Sequence, residues 1–476
     1  MRSYTTNNEG GLIIPDACCE PSAVRAHNNS MRLAPRAVPD EGQAAPRDVP
    51  ASSEMRLRVA GRERPRRLLL CLDGVPLEVI RAAKSRGLFE RFNEPSGLLS
   101  PFPTMTNVAL ASMLRATPPL GYESLYFNRD MREMRGGVRK YIGRRTPDKI
   151  PSSYMDDLDY QEPLPFEFLV YAAPDKVWRA DMQRFRERFR ATPETRDFFA
   201  FLKATDGLLH CRGVERLHVA LVSLDKILRE IQDECGAETE IVVFSDHGMN
   251  LQENRRISLK THLRESGFEV TDRFRGQGTH SVAAPAFGLC GYAAVYCARE
   301  TDPAWVAAAL TTLEGVDFSV YRDGADVVVK GERGAARIRR DEDDNGVRFA
   351  YEQMHGGDPL ELGSTLDVLG AAGELDAKGY ASDRAWLART AGHTYPDALA
   401  NLHSSLHAPR VQHTADVLIS CHDGYYYGAS VFGRMMRLLA THGNAMRSST
   451  HAFLMSTHRE FPDYVRANEA QPFLRG

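Results

Sequence analysis

Two stretches of this chain carry apolar residues without alternation and then stop at an acid: RRLLLCLDGVP (66–76) and TEIVVFSDHGMN (239–250). A run with no polar face reads as a strand buried on both sides, and such strands belong to parallel sheets covered by helices. The segments between have helical spacing: LEVIRAAKSRGLFERF (77–92), ASMLRA (111–116) and HVALVSLDKILREIQDEC (218–235). FEFLVYAAP (166–174) and RDFFAFLKATDG (196–207) read as a second and a third strand. Strand and helix in alternation predict an α/β fold, a doubly wound and mainly parallel sheet flanked by helices.

The pattern changes over 301–390. VDFSVYRDGADVVVKGERGAARIRRDEDDNGVRFAYE alternates and is broken by Asp-Gly and Asn-Gly, the signature of antiparallel hairpins in a small inserted subdomain. Buried-strand texture returns in ADVLISCHDG (415–424) and HAFLMS (451–456). Residues 1–65 are rich in Pro, Ala, Arg, Asn and Asp and are expected to be a disordered leader. The expected catalytic domain is 66–476, interrupted by the insert.

With 43% hydrophobic residues in 476, the chain can bury a large core. A net charge of -3 gives no basic excess to attract nucleic acid polymers or an anionic membrane. No run approaches the roughly 20 apolar residues of a membrane span. The first residues show no secretory signal, and the 8 cysteines form no CxxC pair, so a reduced, cytoplasmic protein is expected.

In an open parallel sheet, ligands bind at the carboxyl ends of the strands. Asp73 ends the first strand. Asp206 and His210 follow the third, in ATDGLLH. Asp246 and His247 end the strand in FSDHGMN, and His442 lies in ATHGNAM. Three carboxylates and three imidazoles suit divalent metal, with Zn2+ favoured and Mn2+ the alternative, and they are enough for two ions. Singly, each has a bland reading: an acid after a strand forms turns, and a DxxxH pair polarises a helix surface. FPTMTNVALASM (102–113) raises the same choice. Its threonines could cap a helix, or Thr106 could present a hydroxyl where helix N–H groups favour phosphate.

Taken in chain order, Asp73, the PTMT segment, Asp206-xxx-His210, Asp246-His247-Gly248 and His442-Gly443 resemble the alkaline phosphatase superfamily. The nearest branch is the nucleotide pyrophosphatase/phosphodiesterases. The resemblance spans about 66–300 and 390–476. It implies a metal-dependent phosphodiesterase or phosphatase acting on small phosphate esters through a phospho-threonine intermediate. The nucleophile would be Thr106, the second threonine of the motif. One metal would be held by Asp206, His210 and His442, the other by Asp73, Asp246, His247 and the Thr106 oxygen. Asn128, or else Asn107, would bind a non-bridging phosphate oxygen. His393, in GHTYPD, is the runner-up to His442, and His280 and His422-Asp423 stand further back. A phosphotransferase or mutase of the same superfamily uses a serine in a different segment. A non-catalytic phosphate-binding protein would lack at least one ligand, and none is missing here.

Overall fold

In the computed structural model the unalternating runs lie at the centre of a sheet. The structure describes residues 66–137, 152–163, 169–194, 196–276, 280–429 and 437–475. The leader 1–65 and most of the GGVRKYIGRR segment (136–145) lie outside them. The described residues fall in one unit, Gly61–Gly476.

β1 (Arg67–Leu72) is buried along its whole length. It is followed by α1 (Leu77–Ser85), β2 (Ser96–Leu99) and α2 (Thr106–Leu114). A hairpin of β3 (Leu125–Asn128) and β4 (Glu133–Gly136) leads on to α3 (Pro174–Ala191), β5 (Phe198–Leu202), α4 (Ala204–Cys235) and β6 (Glu240–Ser245). β1 lies between β5 and β6 and runs parallel to both. All three strands are apolar on both faces because helices cover both faces. Leu68, Leu70 and Val243 pack with α1, α3 and α4, whereas Leu69, Cys71, Val242 and Phe244 pack on the α2 side.

Among the described residues nine strands follow: β7 (Arg255–Arg256), β8 (Glu269–Val270), β9 (Ser281–Ala283), β10 (Leu289–Cys290), β11 (Tyr292–Cys297), β12 (Val316–Asp323), β13 (Asp326–Gly331), β14 (Gly334–Asp343) and β15 (Gly346–Gly356). After them come β16 (Tyr380–Ser382), α5 (Asp383–Thr390), α6 (Ala398–His407), β17 (Val417–Cys421), β18 (Tyr425–Gly428), β19 (His451–Ser456) and β20 (Tyr464–Arg466). The first sheet has the order β20-β2-β19-β6-β1-β5. Of its strands only β19 runs against its neighbours, so the sheet is mainly parallel. A second sheet has the order β16-β15-β14-β13-β12-β17-β11-β9-β8 and is antiparallel except at β8–β9.

Two readings of single runs change. FEFLVYAAP is not a strand over its described part: Leu169–Ala172 form a helical turn that runs into α3, with the Ala173 N–H on the Leu169 carbonyl at 2.7 Å. Short apolar runs do not separate helix from strand, and here Pro174 opens the next helix. ADVLISCHDG does form a buried strand, β17, but it pairs antiparallel with β11 and β12 in the second sheet. A strand covered on both faces looks the same in sequence whichever sheet it joins. Among the described residues no helix is long and apolar enough to cross a membrane.

The chain passes close to itself at Gly248, after β6. Its N–H meets the Ser449 carbonyl at 2.8 Å. A Cβ there would lie 2.3 Å from the Ser448 oxygen and 2.7 Å from that of His451. Both neighbours are backbone and neither can rotate away. Gly248→Ala should therefore lower the unfolding free energy by about 1–3 kcal/mol, read by urea denaturation. Unchanged stability would show that the 248 and 448–451 segments do not pack as described.

Candidate active site

The carboxyl ends of β5, β1 and β6 lie side by side, and each delivers acids to one edge. Asp73 follows β1 directly, and its N–H bonds the Leu202 carbonyl of β5 at 3.1 Å. Asp246 and His247 follow β6. Asp206 and His210 stand one turn apart at the start of α4, so both project from one helical face. That short first segment ends at Gly213, where φ is 75° and helical geometry is interrupted. His442 arrives from the loop before β19.

These residues form two groups, Asp206/His210/His442 and Asp73/Asp246/His247, each with one ligand atom per residue within 4.8 Å of the others. All six are buried, from 0% exposed for Asp73, Asp246 and His247 to 6% for His442. The groups adjoin: the rings of His247 and His442 stack with centroids 3.9 Å apart.

Every imidazole is fixed the same way. His210 Nδ1 donates to the Ala440 carbonyl at 2.7 Å, His442 Nδ1 to Thr104 at 2.7 Å and His247 Nδ1 to Gly248 at 2.9 Å. A carbonyl can only accept, so the proton sits on Nδ1 and Nε2 is aimed at the acids. His210 Nε2 is 3.0 Å from Asp206 Oδ1, and His247 Nε2 is 3.3 Å from Asp246 Oδ2. Asp73 Oδ2, Asp206 Oδ1 and Asp246 Oδ2 have no hydrogen-bond partner among the described residues. Buried carboxylate oxygens facing imidazole lone pairs are costly unless a cation lies between them. The donor set, mixed oxygen and nitrogen, fits two divalent ions.

The electrostatics agree. Burial, reinforced by the Asp246 and Asp206 carboxylates, pushes Asp73 well above the usual carboxylate range. Burial and the neighbouring His247 hold His442 well below the ordinary histidine value, keeping it neutral.

Thr106 is the first residue of α2, and its N-cap residue, Met105, offers no side-chain cap. Its hydroxyl instead lies 3.3 Å from Asp73 Oδ1 and 3.3 Å from His247 Nε2. Thr104 is fully buried and joins two loops. Its Oγ1 accepts the Gly443 N–H at 2.8 Å and donates to the Asn444 carbonyl at 3.3 Å, while its own carbonyl holds His442. Thus neither threonine caps α2: one faces the acids and the other ties the threonine segment to the His442 loop.

The remaining candidates lie elsewhere. The Asn107 amide donates to the Gly121 carbonyl and accepts the Val108 N–H, each at 3.0 Å, leaving only its backbone N–H at the start of α2. Asn128 Oδ1 accepts the Met131 N–H at 2.8 Å in the β3–β4 turn. His393 accepts from Tyr395 N–H within its own turn, and His442 is the histidine that joins Asp206 and His210. His280 bonds Asp302, and His422 lies 3.5 Å from Asp317. Asp423 accepts from Asn444 and Ser448, each at 2.9 Å, and so braces the His442 loop from behind.

Two site neighbours escaped the sequence reading. Tyr171 donates to Asp206 Oδ2 at 3.1 Å, and Lys203 Nζ lies 3.6 Å from Asp73 Oδ2. Tyr171 sits in the run read as a strand, which hid its position. Lys203 precedes Asp206 by three residues and carries no motif of its own.

The family description for type I phosphodiesterase / nucleotide pyrophosphatase matches residues 126–430, which include Asp206, His210, Asp246 and His247. Among solved structures, phosphonoacetate hydrolase from Sinorhizobium meliloti 1021, in complex with phosphonoformate, is similar at 14% identity. That match covers 86% of this chain and 95% of the other, with a TM-score of 0.47. Murine ectonucleotide pyrophosphatase / phosphodiesterase 5 matches at 10% identity over 86% of this chain and 94% of the other, with a TM-score of 0.43. Its human counterpart matches at 11% identity over 86% and 93%, with a TM-score of 0.44. Comparison with curated proteins finds no match.

Thr104→Val keeps the shape of the side chain and removes both Oγ1 hydrogen bonds to the His442 loop. It should lower stability by about 1–3 kcal/mol, because the Gly443 N–H is left buried and unpaired. Thr104→Ser should retain most of that stability. Equal denaturation midpoints for wild type and Thr104→Val would show that the bridge between the loops carries no load.

Proposed function

We propose, from the premise that this chain belongs to the type I phosphodiesterase / nucleotide pyrophosphatase family, that it is a metal-dependent hydrolase of small phosphate esters with Thr106 as nucleophile. The observation that carries the reading is the place of the Thr106 hydroxyl, between Asp73 Oδ1 and His247 Nε2 and free of capping duty. Asp206, His210 and His442 would hold one divalent ion, and Asp73, Asp246, His247 and Thr106 Oγ1 the other. Such ions polarise phosphoryl oxygens and make a hydroxyl a stronger nucleophile at neutral pH. Zn2+ is the favoured metal.

The chain's own groups do the rest. Asp73 orients the Thr106 hydroxyl and accepts its hydrogen bond. The Asn107 N–H, in the first turn of α2, stands at the helix start where phosphoryl oxygens are favoured, while the Val108 N–H is held by Asn107 Oδ1. Thr106 Oγ1 bonds to phosphorus as the ester P–O bond breaks, giving a phospho-threonine and the leaving alcohol. Water then takes the phosphoryl group and returns the hydroxyl. Lys203, 3.6 Å from Asp73 Oδ2, adds a positive charge on the far side of the acid that holds the Thr106 hydroxyl.

Purified protein with zinc or manganese should hydrolyse bis-p-nitrophenyl phosphate or p-nitrophenyl phosphate and should lose the activity to a chelator. Thr106→Ala should lower kcat by more than about a thousandfold while the fold persists. Failure to cleave either ester with any divalent ion would end the hydrolase reading. Elemental analysis should find two ions in the wild type and one each in Asp206→Ala and Asp246→Ala. Full metal content in both variants would refute the two ligand sets.

A further inference from the structure

A cleft of 460 Å³ opens beside α2, away from the acids. Val108, Ala111, Ser112 and Arg115 line it, one stripe of the helix at i, i+3, i+4 and i+7. Thr106 is not on that stripe. The other walls come from Leu99–Pro101 before α2, from α6 and the turn after it, and from β14–β15. The cleft therefore lies between the two sheets, where ligand pockets tend to form.

Its charge is uneven. Four arginines line it, 115, 340, 410 and 466, against two aspartates, 383 and 397. Arg466 engages both acids. Its Nε and Nη2 each bond Asp397 at 2.7 Å, and its Nη2 bonds Asp383 at 2.7 Å. Arg466 thus offsets one of the two acid charges, and three arginines remain against the other. Arg410 differs: through Nη1 it donates to Asn401 Oδ1 at 2.8 Å and to the Phe102 carbonyl, both neutral acceptors. Burial pulls its guanidinium down to about 10. Arg115 is exposed at the end of α2, and Arg340 meets its acid partner, Glu342, only at the surface.

We infer that this cleft binds a small organic anion, its carboxylate or phosphate monoester head on Arg410, Arg340 and Arg115 and its apolar body against Val108, Ala111, Val347 and Phe349. A guanidinium bonded only to neutral acceptors beside a cavity has donors and charge to offer an anion. The site also reaches the threonine segment. Asn401, which accepts from Arg410, accepts the Phe102 N–H at 2.7 Å and donates to the Ser100 carbonyl at 3.2 Å. An anion drawn to Arg410 would act on the clamp that fixes Ser100–Phe102, four residues before Thr106.

The test uses the full chain and the fluorescent probe 1-anilinonaphthalene-8-sulfonate, an anion with an apolar body. One saturable class of sites is expected, with Kd raised about tenfold or more by Arg115→Glu/Arg340→Glu, a loss of at least ~1.4 kcal/mol. Neither arginine touches the acid–histidine groups, so the double variant should hydrolyse bis-p-nitrophenyl phosphate like the wild type when no anion is added. Displacement of the probe by phenyl phosphate assigns the head as phosphate, and displacement by benzoate assigns it as carboxylate. No saturable probe binding, unchanged affinity in the double variant, or displacement by neither competitor would overturn the inference. Because binding is read directly, an inactive enzyme would leave this result standing.

Discussion

Three carboxylates buried at one edge of a parallel sheet are the constraint around which this molecule is arranged. Asp73, Asp206 and Asp246 repel one another in a place that water barely reaches, and each keeps one oxygen without a hydrogen bond among the described residues. Such a cluster survives only where positive charge is available. Lys203 supplies part of it from 3.6 Å. The imidazoles supply lone pairs rather than charge, since backbone carbonyls hold the proton of each ring on the far nitrogen. The fold thus accepts a destabilised edge and surrounds it with rigid backbone, a setting in which a bound cation would relieve the repulsion.

That rigidity comes from the loops between strands. The His442 loop crosses to the threonine segment and is bonded to it through both the backbone and the side chain of Thr104. The Asp246 loop takes the Gly74 N–H on Oδ1 at 3.1 Å, and Thr205 Oγ1 holds the Asp73 carbonyl at 2.7 Å. Each loop is therefore positioned by a neighbour that itself carries one of the clustered acids or the threonine pair. Disturbing one moves at least two, and so their energies should not add.

Much of this was legible in sequence because burial and chemistry leave marks there. The unalternating runs at 66–76 and 239–250 read as covered strands, and the acids at their ends, turn formers when taken singly, pointed to a ligand edge only together. The order of acids, histidines and threonines then carried a resemblance that no single residue could. What stayed hidden depended on distance across the chain. Nothing local tells that β17 joins the antiparallel sheet, or that a turn before α3 sends Tyr171 to Asp206. Side-chain commitments were hidden too. Asn107 and Asn128 are plausible phosphate ligands by position, yet their amides are engaged by Gly121 and by the β3–β4 turn.

The same logic ties the two faces of α2 together. One end presents Thr106 to the acids, and the stripe through Val108 and Arg115 walls a cleft with surplus arginine. Both depend on the segment Ser100–Thr104, which Asn401 and Arg410 hold from one side and His442 and Gly443 from the other. A helix pinned at its start from two directions cannot shift toward one without loosening the other. Charge arriving at Arg410 therefore competes with the Phe102 carbonyl for the same guanidinium, and the hydroxyl of Thr106 lies at the far end of that competition.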